Sequence, residues 1–166
     1  MKLRQYREED AKEILSWIKS EREFRLWSAD RYDKYPATPD DINNNYKACE
    51  EDGSFYPFTL EDDGKTIGHL IIRNPDESKN IIRLGFIIVD NSIRGKGYGK
   101  ALIKEAIKYA EEELQAKEIN LGVFTNNDGA LHCYQSVGFE TTRIEEKAYK
   151  FHDEYWDCAE MILKKK

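Results

Sequence analysis

The sequence predicts an α/β (α+β) fold, a mixed and mostly antiparallel central sheet flanked by helices, in the order βααβββαβαββ. Three observations predict it. The hydrophobic period changes along the chain, from helical spacing near the start to strand-like runs in the middle. A glycine-rich turn, Arg94-Gly95-Lys96-Gly97, stands between a long β-rich run and the most regular helical stretch. Finally, the strand–helix–strand unit from Ile81 to Phe124 has the length of a parallel, right-handed crossover. With 166 residues and no linker, repeat or low-complexity segment, one domain over 1–166 is expected.

Lys2 to Tyr6 reads as a short first strand. Glu8 to Ile18 places Ala11, Ile14, Leu15 and Ile18 at i, i+3, i+4 and i+7, an amphipathic helix. The second helix should begin at Thr38, an N-cap followed by Pro39 in the first helical position, and run toward Glu51 before Gly53. Tyr56 to Glu61 and Thr66 to Arg73 read as strands joined through Asp62-Asp63-Gly64-Lys65, a hairpin turn. Asn74-Pro75-Asp76 reads as another turn, and Asn80 to Val89 as a third strand of the meander. The helix after the glycine turn should bury Ile103, Ile107, Ala110 and Leu114 and expose Lys100, Lys104 and Lys108. Glu118 to Phe124 is a strand, and Asp128 to Val137 a helix closed by Gly138 at C′. Two last strands fall near Phe139 to Lys147 and Trp156 to Leu163.

Composition excludes several classes. Apolar residues at 40% and aromatics at 12% are too many for a disordered chain. No apolar run approaches the roughly 18 residues of a spanning helix, and Met1 to Gln5 lacks a signal-peptide stretch, so a cytoplasmic protein without membrane association is expected. The 26 basic and 32 acidic residues give −6, which repels phosphate backbones and argues against a nucleic-acid partner. Cys49, Cys133 and Cys158 form no C-x-x-C pair, so reduced thiols and no metal site are expected.

The glycine turn has a chemical use. The first amides of a helix lack internal partners and carry the positive end of its dipole, which suits phosphate groups. Arg94, Lys96 and Lys100 add charge there. A Walker A loop does not fit, because Gly95 to Gly99 is one residue short and Ala101 stands where Ser or Thr would hold magnesium. The dinucleotide fingerprint fails because Lys100 replaces its third glycine. The pattern that fits is R-x-x-G-x-G, Arg94 to Gly99. Downstream, Val123 to Phe139 reads V-x-x-x-N-x-x-A-x-x-x-Y-x-x-x-G-F, with Asn127, Ala130, Tyr134 and Gly138-Phe139 in the specified places. In order and spacing these two motifs resemble the GNAT N-acetyltransferases, closely from about Tyr56 to Phe139 and in layout elsewhere.

The resemblance implies a GNAT-like sheet and an acyltransferase moving acetyl from acetyl-CoA to a primary amine by direct attack. The acceptor would be a small amine, a peptide N-terminus or a lysine. It implies that Ile87, Ile88 and Val89, on a strand splayed from its parallel neighbour, pair with the pantetheine arm. The amides of Arg94, Gly95, Lys96, Gly97, Tyr98, Gly99 and Lys100 would hold the pyrophosphate, and Asn127 the pantetheine region. Tyr134 matches the tyrosine that protonates the departing thiolate, chemically reasonable for a phenol of pKa about 10. No metal is required, and a monomer or homodimer is expected. The family's usual glutamate bases align with Arg83 and Gly122, neither of which can serve. His69 has a suitable intrinsic pKa, Glu21 and Glu23 are outsiders, and deprotonation through water is the favoured expectation. Phe24, Trp27, Tyr32 and Tyr35, Tyr149, Phe151, Tyr155 and Trp156, with Glu21, Glu23, Asp30 and Asp33 nearby, form an aromatic–acidic set that suits a cationic amine or else closes a thin core. Two alternatives keep the fold: another acyl-CoA, or a coenzyme-A-binding regulatory module without turnover.

Overall fold

The computed structural model describes residues 1–51, 53–76, 78–93 and 95–164. The elements are β1 (Lys2–Gln5), α1 (Asp10–Ser16), α2 (Glu21–Ser28), α3 (Pro39–Glu50), β2 (Phe55–Asp62), β3 (Lys65–Asp76) and β4 (Ile81–Val89), then a single 3-10 turn, α4 (Tyr98–Leu114), β5 (Glu118–Phe124), α5 (Asp128–Val137), β6 (Phe139–Phe151) and β7 (Glu154–Leu163). Seven strands form one sheet in the order β1-β2-β3-β4-β5-β7-β6. All pairings are antiparallel except β4 with β5.

The expected order lacks one helix, α2. Its sequence signal is Ser20-Glu21-Arg22-Glu23, a capping-box spacing. The Ser20 side chain accepts the Glu23 amide at 3.1 Å, and the Glu23 carboxylate accepts the Lys19 amide at 2.6 Å. Phe24 is then fully buried one turn in. Helix α3 starts as expected: Thr38 and Asp41 form a reciprocal capping box, and Pro39 opens the helix. The expected turn at Asn74 to Asp76 is instead the end of β3, where Asn74 donates its amide to the Ser54 carbonyl.

Alternation along the strands divides the core in two. Leu70, Ile72, Ile82, Leu84 and Leu121 face α4 and α5, while Ile71 faces Phe24, Ile42 and Tyr46 of α2 and α3. On α4 the buried positions are Leu102, Ile103, Ala106 and Ala110, with Ile107 and Leu114 only half-buried, so the inward stripe is turned from the expected one. The small Ala106 and Ala110 let the helix backbone approach the sheet. Each large aliphatic side chain sealed here contributes about 1.5–3 kcal/mol of burial free energy.

Candidate active site

The site begins where the parallel seam ends. Strands β4 and β5 pair over four positions, Ile81 with Glu118 through Leu84 with Leu121, and no further. Beyond them Phe86 adopts φ +49°, and the β3–β4 register shifts so that Ile71 faces Gly85 while His69 faces Ile88. That is a β-bulge, and it bends β4 away from β5. A left-handed backbone at a bulky residue costs on the order of 1–2 kcal/mol. Trp27 helps to offset it, its indole N–H donating to the Phe86 carbonyl at 2.9 Å.

The separated strands open a cleft of about 730 Å³, bounded on one side by Trp27 and Arg31 and on the other by the start of α4 and by α5. Ile87, Ile88 and Val89 line it, and their backbone groups have no partner strand on the β5 side. After β4, the buried Asp90 accepts the Ser92 amide and hydroxyl at 2.9 and 2.8 Å, and the Asn91 side chain donates to the Trp17 carbonyl at 3.0 Å. These contacts aim the glycine turn back across the sheet. Gly95 and Gly97 have φ of +83° and +76°, with open space within 4 Å of where a side chain would stand. Gly97 caps α4 without a side-chain acceptor, leaving the first helical amides free to bind an anion. Tyr98 anchors this end, donating its hydroxyl to Asp62 at 3.1 Å.

Of the residues singled out in the sequence, Gly95, Gly97, Tyr98, Gly99, Asn127 and Tyr134 line the same cleft as Ile87 to Val89. Lys96 and Lys100 are exposed beside it, and Arg94 lies outside the described residues. Asn127 precedes α5 without capping it. Tyr134 is 6% exposed, packs edge-on against Phe139, and its hydroxyl has no protein hydrogen bond among the described residues. Burial pushes its pKa well above that of a free phenol, so it carries its proton throughout the neutral range.

The remaining candidates separate. His69 is fully buried, accepts or donates through Nε2 to the Tyr46 hydroxyl at 2.7 Å, and does not line the cleft. Burial lowers its pKa to about 3. It is a neutral core residue and cannot be the base. Glu21 pairs with His152, away from the cleft. Arg83 donates to Glu160 at 3.0 and 3.3 Å and to Asn120 at 2.9 Å, directly over Gly122. Of the aromatic–acidic set, Trp27, Glu23 and Asp30 line the cleft, while Phe24, Tyr32, Phe151 and Trp156 are buried in packing. Sequence reasoning missed Arg31 and Arg73, which line the cleft together with Arg83. Among the described residues no group of His, Cys, Asp and Glu is arranged to hold a metal, and no helix is long and apolar enough to cross a membrane.

The sequence and the fold are similar to those of known proteins. A spermine/spermidine N(1)-acetyltransferase of Bacillus subtilis (strain 168) is 31% identical over 103 residues, 57% of this chain and 68% of that one. An uncharacterized N-acetyltransferase of Methanocaldococcus jannaschii is 34% identical over 100 residues, 57% of this chain but 42% of that protein, so the match spans less than half of the archaeal relative. Among solved structures, the spermidine N-acetyltransferase from Vibrio cholerae in complex with CoA and spermine superposes with a TM-score of 0.83 at 22% identity, covering 98% of this chain and 94% of that one. At that identity the likeness establishes the fold. The acetyltransferase (GNAT) family profile matches residues 12–139, and the chain belongs to that family.

Proposed function

We propose that the cleft transfers the acetyl group of acetyl-CoA to a primary amine, with Tyr134 as general acid. One observation carries the reading: the four-residue seam opens onto an uncapped, glycine-lined helix N-terminus, with a protonated tyrosine between them. The free backbone of Ile87 to Val89 suits an extended amide-bearing arm, and the amides from Gly95 to Lys100 suit its pyrophosphate. Asn127 would add a contact at the end of β5. By the family resemblance Arg94 would add its charge beside the same phosphates.

In the transfer, the amine nitrogen attacks the thioester carbonyl carbon and forms the new C–N bond. The C–S bond breaks, and the departing sulfur takes the Tyr134 proton. The amine's surplus proton passes to water, which returns one to Tyr134. Glu160, the carboxylate bound to Arg83, does not line the cleft. Water-mediated deprotonation therefore fits the site better than a side-chain base.

Thiol release from acetyl-CoA over a panel of amines tests the reading, with succinyl-CoA and a longer acyl-CoA as controls. Release matched by acetylated amine is expected. Coenzyme binding without release to any amine would favour a regulatory coenzyme-A-binding module instead.

A further inference from the structure

We infer that the acceptor carries a carboxylate as well as its amine, and that Arg73 with Arg83 holds that carboxylate in the cleft. The substrate is then a small amino-carboxylic acid and not a polycation. The inference rests on the acetyl-transfer reading and adds the acceptor's class.

Arg73 on β3 and Arg83 on β4 are register partners, so both side chains leave the same face of the sheet next to each other. Like charges facing across an antiparallel pair are destabilising. Arg83 is offset by Glu160 and Asn120. Arg73 is exposed and makes no hydrogen bond or ion pair among the described residues. A third guanidinium, that of Arg31, stands 4.9 Å over the Phe86 ring at the bulge. Against these, the cleft-lining carboxylates are Glu23, which is occupied by the Lys19 amide, and Asp30. Arg83 is already paired with Glu160, so Arg73 is the guanidinium left without a protein partner among the described residues.

Geometry orders the two ends of the ligand. Arg73 and Arg83 lie one two-residue repeat behind Ile71 and Gly85, about 7 Å along the strands. An acceptor with its carboxylate on the arginines reaches its amine toward the gap between β4 and β5, where the thioester would lie. Guanidinium forks recognise carboxylates in two-pronged fashion, whereas a polyamine would meet like charge at every one of them.

The test uses the full chain and three acceptor types: amino acids, the same amino acids as amides, and spermidine. Amino acids are expected to have a KM lower than their amides by about tenfold or more, the scale of one charged hydrogen bond. Arg73→Gln should raise the amino-acid KM by a similar factor, leave the KM for acetyl-CoA unchanged and erase the acid–amide difference. Arg73→Lys should restore part of it. Equal use of acids and amides, preference for spermidine, or an unchanged acid–amide ratio in Arg73→Gln would overturn the inference. Calorimetry of amino-acid binding with CoA present separates the two claims. Binding that Arg73→Gln abolishes, without transfer to any acceptor, supports the carboxylate site and overturns the acetyl-transfer reading; no binding overturns the carboxylate site.

Discussion

The guanidinium of Arg83 occupies the space that a side chain on Gly122 would need: a Cβ built there stands 2.7 Å from Nη2. The two positions at which the family resemblance leads one to look for a glutamate are therefore not independent. A side chain at 122 would have to displace the Arg83 guanidinium from this position, and Glu160, register partner of Gly122 across β5 and β7, completes the arrangement as the arginine's counter-ion.

Gly122→Ala should push Arg83 off Glu160 and lower stability by about 1 kcal/mol, the size of a partly exposed charged contact. In an Arg83→Ala background the same change should cost much less. A double-mutant cycle by chemical denaturation measures this coupling, and additive effects would show that Arg83 swings aside freely.

Tyr134→Phe should lower turnover by roughly 10²-fold, the low end for a lost general acid, with coenzyme affinity kept within a few-fold. The ring continues to pack on Phe139 and no protein hydrogen bond is lost, so thermal stability should hardly change. Steady-state kinetics beside calorimetry of coenzyme binding separates the two effects. Normal turnover would make Tyr134 a packing residue.

With water taking the amine's surplus proton, kcat/KM should climb with pH toward the acceptor amine's own pKa. The neutral fraction of the amine grows about tenfold per unit in that range. A plateau near pH 7 would reveal a side-chain base in place of water.

His69 should show itself in stability instead. Its pKa is depressed by burial from 6.5 to about 3, so the unfolded chain binds its proton more readily over that interval. Stability is full above about pH 6.5 and declines as pH falls toward 3. Replacing His69 by Leu should lower stability overall, because Tyr46 loses its partner, yet flatten this acid limb. Denaturation midpoints measured between pH 3 and 7 give the slope. An unchanged slope would assign the acid sensitivity to other groups.

Gly97→Val should weaken acetyl-CoA binding strongly. At φ +76° a β-branched residue is strained, and the added methyls project into the open space before the α4 amides. Gly97→Ala serves as the milder control, with a stability loss of about 1 kcal/mol. Calorimetry that finds the same affinity in both variants would remove the phosphate role from this turn.

Much of this was legible in one sequence because the signals are local. Gly97 and Gly138 mark helix ends through backbone conformations that favour glycine, and the limits of β5 and α5 follow from period and caps. The glycine turn and the Asn127–Tyr134 spacing picked out residues that line one cleft, for the same reason. What escaped depends on partners far along the chain. Nothing near Phe86 announces a left-handed backbone, since its support is an indole 59 residues earlier. The Arg83–Glu160 pair spans 77 residues, and the meeting of Arg73 with Arg83 requires a register that hydrophobic alternation alone leaves open. His69 misled because its ordinary pKa describes a solvated ring, and burial removes that premise.

The short seam between β4 and β5 has a mechanical meaning. Four residue pairs join two stiff leaves, β1 to β4 on one side and β5, β7 and β6 on the other, in the manner of a narrow book spine. At the outer corner Arg22 clasps Glu154, tying α2 on the first leaf to the hairpin on the second. This ion pair is solvent-exposed, so dissolved salt screens it readily. Rising ionic strength should therefore loosen this corner first, while the shared apolar layer of Ile82, Leu84 and Leu121 against α4 continues to hold the two leaves together.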